Sequence, residues 1–223
     1  MCGRYVLDDD GSIIAYIYGV PRSRETGIVR RYNIAPGQKA PIIRHDEAGR
    51  RVDLIRWGLI PFWAKSEKVG YNLINARGDT VAEKPAFRQA FKRRRCLIPA
   101  SGFYEWQTTA GSRIKTPHYI TLQSGELMTF AGLWESWKNA ADEQIETFTI
   151  ITTDANELLA KLHNRMPDIL DRRDWDTWLN PNASEATLLP LIHPYPSDEM
   201  RAWPVSTRVN KPSADVPALI APA

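Results

Sequence analysis

Cysteine is scarce in this chain: Cys2 and Cys96 are the only two among its 223 residues. One pair cannot build the multi-bridge framework of a small secreted scaffold, and in a reducing compartment both read as free thiols. Histidine is nearly as thin. His45, His118, His163 and His193 are scattered and no Cys-x-x-Cys pair exists, which argues against a zinc site of the usual ligand spacing. No metal and no cofactor is expected. No stretch approaches the ~20 apolar residues that span a bilayer, and the N-terminus lacks the basic region, apolar run and small-residue cleavage site of a secretory signal. A cytoplasmic protein without membrane contact is the expectation. The hydrophobic share of 43% and charged share of 25% fit a globular chain with one substantial core.

The net charge of +3 conceals an uneven distribution. Residues 1–115 carry 21 Lys/Arg against 11 Asp/Glu, whereas residues 116–223 carry 8 against 15. A basic half suits a surface that meets phosphates, because lysine and arginine gain affinity by releasing condensed counterions. The run Lys92-Arg93-Arg94-Arg95 taken alone reads as a solvated face.

Segments rich in β-branched and aromatic residues, broken by Gly, Pro or polar turns, predict strands over 2–7, 40–44, 52–60, 95–106, 118–122, 127–137 and 147–153. Helices are expected at 85–94, at 154–164, where Asp154 and Glu157 fit a capping box, and at 174–179. These elements do not alternate as βαβ units, so the expected class is α+β: a single compact domain with a mainly antiparallel, barrel-like sheet and a few short helices. Residues 2–208 form its core and 209–223 a C-terminal tail. Residues 21–41 and the Pro-rich tail look like linkers.

The most informative feature is the start, Met1-Cys2-Gly3-Arg4. Cysteine is small enough for a preceding initiator methionine to be removed, which would leave an α-amine and a thiol on adjacent carbons. An aldehyde condenses with such an amine to an imine, and the thiol then closes a stable five-membered thiazolidine. Reference pKa values of about 7.7–8.0 for the amine and about 8.5 for the thiol supply both nucleophiles near neutrality with modest tuning. A small buried cysteine in an edge strand is the competing reading.

Five further segments follow in order: Arg31-Tyr32-Asn33-Ile34-Ala35-Pro36-Gly37, Arg56-Trp57-Gly58-Leu59-Ile60-Pro61-Phe62-Trp63, Asn72-Leu73-Ile74-Asn75-Ala76-Arg77, Pro99-Ala100-Ser101-Gly102-Phe103-Tyr104-Glu105-Trp106 and His163-Asn164-Arg165-Met166-Pro167. With the N-terminal motif they closely resemble the SRAP family, the SOS response-associated peptidase-like proteins that shield abasic sites. The resemblance runs from Cys2 through about Arg208. It implies a domain that binds single-stranded DNA and crosslinks its N-terminal cysteine to the ring-opened abasic deoxyribose.

Carried over by motif, Cys2, Asn75, Glu105 and His163 are the expected catalytic residues. Asn75 would hold the N-terminal cysteine in place. Glu105, between Tyr104 and Trp106, would be desolvated and fit to shuttle protons during imine formation. His163 would protonate the sugar ring oxygen and open the hemiacetal, the alternative being a helix dipole cap. Arg4, Arg77 and Arg165 are the expected phosphate contacts. Trp63, in a proline-flanked loop, is expected to stack on a base or wedge into the gap left by a missing one, whereas Trp57 is expected in the core. Asn33 and Pro36 are assigned to the same groove, and Thr152, closing the strand before the expected helix, is added to the DNA-binding set by loose similarity.

The expected partner is single-stranded DNA with abasic sites, met by a monomer. Two other classes stay open: a cysteine peptidase or N-terminal-nucleophile hydrolase built on Cys2, acting on as little as its own Met1–Cys2 bond, and a non-catalytic binder of single strands.

Overall fold

The computed structural model describes residues 2–21, 27–108 and 115–223; Met1, whose removal is expected from the sequence, lies outside the described residues. In chain order the main elements are β1 (Tyr5–Leu7), α1 (Ser12–Tyr18), β2 (Arg31–Ile34), β3 (Lys39–Asp46), β4 (Gly49–Trp57), β5 (Asn75–Arg77), α2 (Arg88–Arg93), β6 (Arg95–Ala100) and β7 (Gly102–Gln107). They continue with β8 (Thr116–Leu122), β9 (Met128–Lys138), β10 (Gln144–Asp154), β11 (Arg165–Pro167), α3 (Trp175–Leu179), α4 (Glu185–Leu188) and β12 (Met200–Pro204).

Five strands close into a barrel. β4, β3, β6, β9 and β10 pair antiparallel in that order, and a short parallel contact of β10 with β4 completes the ring. The second sheet runs β12-β8-β7-β1-β2, all antiparallel. The result is the expected α+β domain with a mainly antiparallel barrel. Tyr5 joins the two sheets: its ring lies 5.3 Å from Trp57 and 6.0 Å from Phe130, edge-to-face in both cases. Each such pair contributes roughly 0.5–1.5 kcal/mol beyond the area it buries. Trp57 is fully buried, as its place in an apolar strand predicts.

Residues 95–106 are uniformly rich in strand formers, yet they form two strands rather than one. The chain leaves the barrel at Ser101, whose N–H donates to Val6 O at 2.8 Å, and enters the second sheet at Gly102. A Cβ on Gly102 would stand 2.4 Å from Ile120 O, so this crossing needs glycine for lack of space. The crossing moves Glu105 from the barrel wall to the sheet containing β1.

Three other expectations are corrected. The helix expected over 154–164 reduces to one 3₁₀ turn, Leu159–Lys161, because Asp154 stays at the end of β10, bonded to Arg165, and Asn156 Oδ1 instead accepts from Leu159 N. Part of the segment read as a linker is β2, paired with β1. Residues 209–223 are no tail: Val209 and Leu219 are buried, Asp215 bonds Arg31 and the Tyr32 N–H, and Ala223 N donates to Pro204 O.

Candidate active site

β5 and β11 dock on the same end of β10, β5 parallel and β11 antiparallel, so that Thr152 is in register with both Arg77 and Pro167. This brings the 72–77 and 163–167 motifs to one mouth of the barrel. Close backbone contact fixes the approach to β5. Gly58 and Gly70 touch so tightly that a Cβ on Gly58 (φ +117°) would lie 2.7 Å from Gly70 O and one on Gly70 would lie 2.6 Å from Gly58 O. Leu59 N then donates to Leu73 O, Trp57 Nε1 to Ile74 O at 2.8 Å, and Ile150 N to Ile74 O. The Arg56–Trp63 motif is therefore largely a frame for Asn75.

Asn75 reaches across to the N-terminal segment: its Nδ2 donates to Cys2 O at 2.9 Å. Cys2 is fully buried, with Sγ directed at Arg4 O at 3.9 Å. Burial pushes its thiol well above the ordinary range, and the negative charge of Glu105 adds to the shift. The thiol is therefore protonated at neutral pH and needs a base to become nucleophilic. Glu105 reaches the site through β7, which pairs with β1 at Phe103 and Tyr5 and is bonded to the N-terminal segment through Tyr104 N and Arg4 O at 3.0 Å. Its carboxyl is buried, and Oε1 accepts from Trp106 N.

His163 is half-buried just after the 3₁₀ turn, with its N–H donating to Leu159 O. Its Nδ1 accepts from Arg165 N at 3.0 Å, which leaves Nε2 as the atom for proton exchange with another group. Gln107 Nε2 donates to Lys161 O and so ties the end of β7, two residues beyond Glu105, to this turn.

The three arginines differ in availability. Arg77 is exposed and forms a two-point bond with Asp79, at 3.2 Å and 2.6 Å. Arg165 is buried, donating to Asp154 Oδ1 at 2.9 Å and Thr152 O at 2.6 Å, with Asp79 at 3.5 Å. Arg4 is half-buried and donates to neutral acceptors, Asn33 Oδ1 at 3.0 Å and Val209 O at 2.9 Å. Asn33 and Thr152, assigned to the groove from sequence, are both fully buried. The amide of Asn33 holds Val209 O, Lys211 O and Ala214 O, and Thr152 links three strands, its carbonyl accepting from Gly78 and Arg165. Both support the site from behind. Pro36 sits half-buried in the turn that returns Gln38 N to Ala35 O, and the adjoining Gly37 (φ +86°) faces the Tyr71 ring.

Of the eight tryptophans, Trp63 is the one with more than half its surface exposed, at 52%; Phe62 and Tyr71 are exposed beside it in sequence and along the same connection. The Lys92–Arg95 run turns inward as much as outward. Arg94 bonds the buried Glu135 at 2.6 Å, and Arg95 is buried, donating to the Trp178, Phe91 and Asn180 carbonyls. Arg94 and Arg95 are thus used inside the fold, while Lys92 and Arg93 stay exposed.

A family model, SOS response associated peptidase (SRAP), matches residues 1–212. The chain belongs to the SRAP family. Relatives in the family include the abasic site processing protein YoqW of Bacillus subtilis, 42% identical over 99% of both chains. Another is the abasic site processing protein YoaM of the same organism, 44% identical over 95% of this chain and 94% of that one. The abasic site processing protein HMCES of Rattus norvegicus is 33% identical over 86% of this chain and 65% of its own length. Among solved structures, a protein from Bacteroides thetaiotaomicron aligns over 100% of both chains with a TM-score of 0.88 at 30% identity. This SRAP chain also contains residues at the mouth that sequence reasoning passed over. Asp79, two positions after Arg77, lies within 3.5 Å of both Arg77 and Arg165. An acidic residue at i+2 on a strand end was the available signal.

Proposed function

We propose that this chain is an abasic-site processing protein that binds single-stranded DNA at the barrel mouth and bonds covalently to the lesion through Cys2. The observation that carries this reading is the 2.9 Å hydrogen bond from Asn75 to the Cys2 carbonyl, with Glu105 close enough to shift the thiol. A hold on the backbone of residue 2 is of little use to an ordinary cysteine nucleophile, but it orients both the amine and the thiol of an N-terminal one.

Once Met1 is removed, the Cys2 amine attacks C1′ of the open-chain sugar and water leaves, giving an imine. Sγ then adds to the imine carbon, and the thiol proton is transferred to nitrogen. Aldehyde and aminothiol become thiazolidine and water. Because the thiol is protonated at rest, a base must relay its proton, and Glu105 is the carboxylate beside it. His163, oriented by Arg165 N, serves ring opening through Nε2. Arg77 supplies the exposed phosphate contact, with Arg4 and Arg165 as fixed charges behind it. A peptidase would instead need a thiolate paired with an imidazole, whereas here Sγ is directed at the Arg4 carbonyl.

The test is a denaturing gel of the Met1-free protein with single-stranded DNA carrying one abasic site. A complex that survives denaturation without borohydride is expected. Turnover of peptide with no DNA adduct would replace this reading with hydrolysis, and neither outcome would leave simple binding.

A further inference from the structure

The chain that leaves β5 is pinned at its first residue. Gly78 N donates to Thr152 O at 2.8 Å, and a Cβ on Gly78 would stand 2.4 Å from Ile192 Cγ2, so a larger residue would displace Ile192. Thr80 N then donates to Arg77 O and closes a turn. The turn brings the side chain of Asp79 back to that of Arg77. The two carboxylate oxygens accept from Nε at 3.2 Å and Nη2 at 2.6 Å, and Thr80 Oγ1 donates to Oδ1 at 3.4 Å. The bond to Arg77 holds the carboxyl below its usual range, so it is charged at neutral pH. The side chains of Arg77 and Asp79 are 61% and 46% exposed, which leaves the pair open to an anion from solvent. Asp79 also faces a second cation: Oδ2 lies 3.5 Å from Nη1 of the buried Arg165, whose closer partners are Asp154 Oδ1 and Thr152 O.

We propose that the Asp79 carboxylate holds the place of a DNA phosphate on Arg77, yields it when a strand arrives, and passes to Arg165. The proposal rests on the DNA reading above and adds a built-in competitor to it. Three observations carry it. A guanidinium fork takes a carboxylate and a phosphate through the same pair of N–H donors, so the two anions compete for one set. The competitor belongs to the chain, and the pinned turn keeps it beside Arg77 at a high local concentration that no dissolved carboxylate matches. The displaced carboxylate also has a cation to move to. Arg165 keeps its shorter bonds to Asp154 and Thr152 and takes up the Asp79 charge, which would otherwise repel the incoming phosphate. The consequence is functional, because every nucleotide offers a phosphate and only an abasic one offers an aldehyde. A carboxylate that weakens the phosphate contact lowers the fraction of protein held on undamaged strand, whereas the finished adduct is held by a covalent bond that no ion pair undoes.

The experiment measures binding of the full chain to an undamaged single-stranded oligonucleotide by fluorescence anisotropy over a salt series, with thermal melts to confirm that each variant folds. Asp79→Asn should bind about three- to fivefold more tightly at low salt, the scale of one exposed ion pair, and its affinity should fall more steeply with salt, by about one further released ion. Asp79→Glu keeps the charge and should show no such gain. Asp79→Ser should reproduce the gain and replaces the Asn variant if the amide disturbs the turn. In an Arg77→Ala background the loss of the Asp79 charge should bring no gain, since the carboxylate then has no fork to vacate. A purely structural role for Asp79 predicts the opposite sign, weaker binding by every variant. Unchanged or weaker binding by a folded Asp79→Asn or Asp79→Ser protein, or a gain that persists without Arg77, would overturn the proposal. If the unaltered protein binds no single strand, the DNA reading fails and the proposal with it, whereas binding with no effect at Asp79 would remove the proposal alone.

Discussion

The two cysteines of this chain are equally buried and chemically opposite in surroundings. Cys96 lies on β6 inside the barrel, where a Cβ on Gly132 would come within 2.8 Å of its sulfur and where its carbonyl accepts from Trp178 Nε1. Cys2 lies at the barrel mouth, held through its carbonyl by Asn75 and facing the charge of Glu105. Burial raises both thiols far above their ordinary pKa. Thiol acidity therefore does not single out Cys2. What would single it out, in the proposed reading, is its adjacent backbone nitrogen, which removal of Met1 would turn into an amine, together with the hydrogen bond from Asn75 that fixes that end of the chain.

The largest effect should come from exchanging the roles directly. Cys2→Ala should abolish the denaturation-resistant DNA complex, whereas Cys96→Ala should leave its rate unchanged and cost only about 1–2 kcal/mol of stability through the small cavity it opens. Gel assays and thermal melts of the two variants check this; equal loss of adduct would break the comparison. Next, Asn75→Ala should slow adduct formation about 10²-fold at saturating DNA, since a loosened reactant loses orientation rather than affinity. A change confined to the Kd for undamaged DNA would make Asn75 a binding residue instead.

Glu105→Gln should have a smaller effect, roughly 10- to 10²-fold on rate, and should be partly relieved at higher pH, where solvent base can take the thiol proton. A pH–rate profile parallel to that of the unaltered protein would remove Glu105 from proton transfer. The smallest difference is expected in alkylation of the Met1-retaining protein. Because both pKa values are shifted upward, the thiolate fraction at pH 7.5 is lower than that of free cysteine, so iodoacetamide should modify both residues more slowly than free cysteine. Rapid reaction at Cys2 alone would mean that its thiol, and not the amine, makes it special.

The fold was legible where side-chain pattern decides structure. The barrel strands announce themselves by β-branched and aromatic runs, and Trp57 by its apolar setting. The pattern carries no information on crossings enforced by space, so the break at Gly102 was hidden although it delivers Glu105 to the N-terminal strand. α1 escaped because no side chain caps it at the usual position. Asp9, two residues before Gly11, accepts from Gly11 N and Ile14 N, and Gly19 in the left-handed region ends the helix. The helix expected after β10 failed because Arg165, eleven residues on, competes for Asp154.

The ordered motifs brought Cys2, Asn75 and Glu105 into one neighbourhood, but a charge count does not say which cations reach solvent. The excess of basic residues in the first half suits a surface that meets phosphates, yet not every one of them lies at the surface. Arg44 is instead buried between Asp53 and Glu146 and over the Trp134 ring, and Arg95 is bonded to backbone carbonyls. Asn33 belongs to the motif because it holds residues 209–214, a long-range contact that no local pattern encodes. Single-residue counts cannot tell an arginine that meets solvent from one that replaces it.

The central claim is that the amine of Cys2, and not its sulfur alone, makes the bond to the lesion. The most direct test compares two preparations whose N-termini are verified by intact-mass spectrometry, one Met1-free and one with Met1 retained behind an uncleaved tag, each incubated with abasic single-stranded DNA and run on a denaturing gel. The Met1-free protein should form a borohydride-independent complex and the blocked protein none, although its Cys2 thiol is intact. Persistent crosslinking by the protein confirmed to retain Met1 would contradict the account.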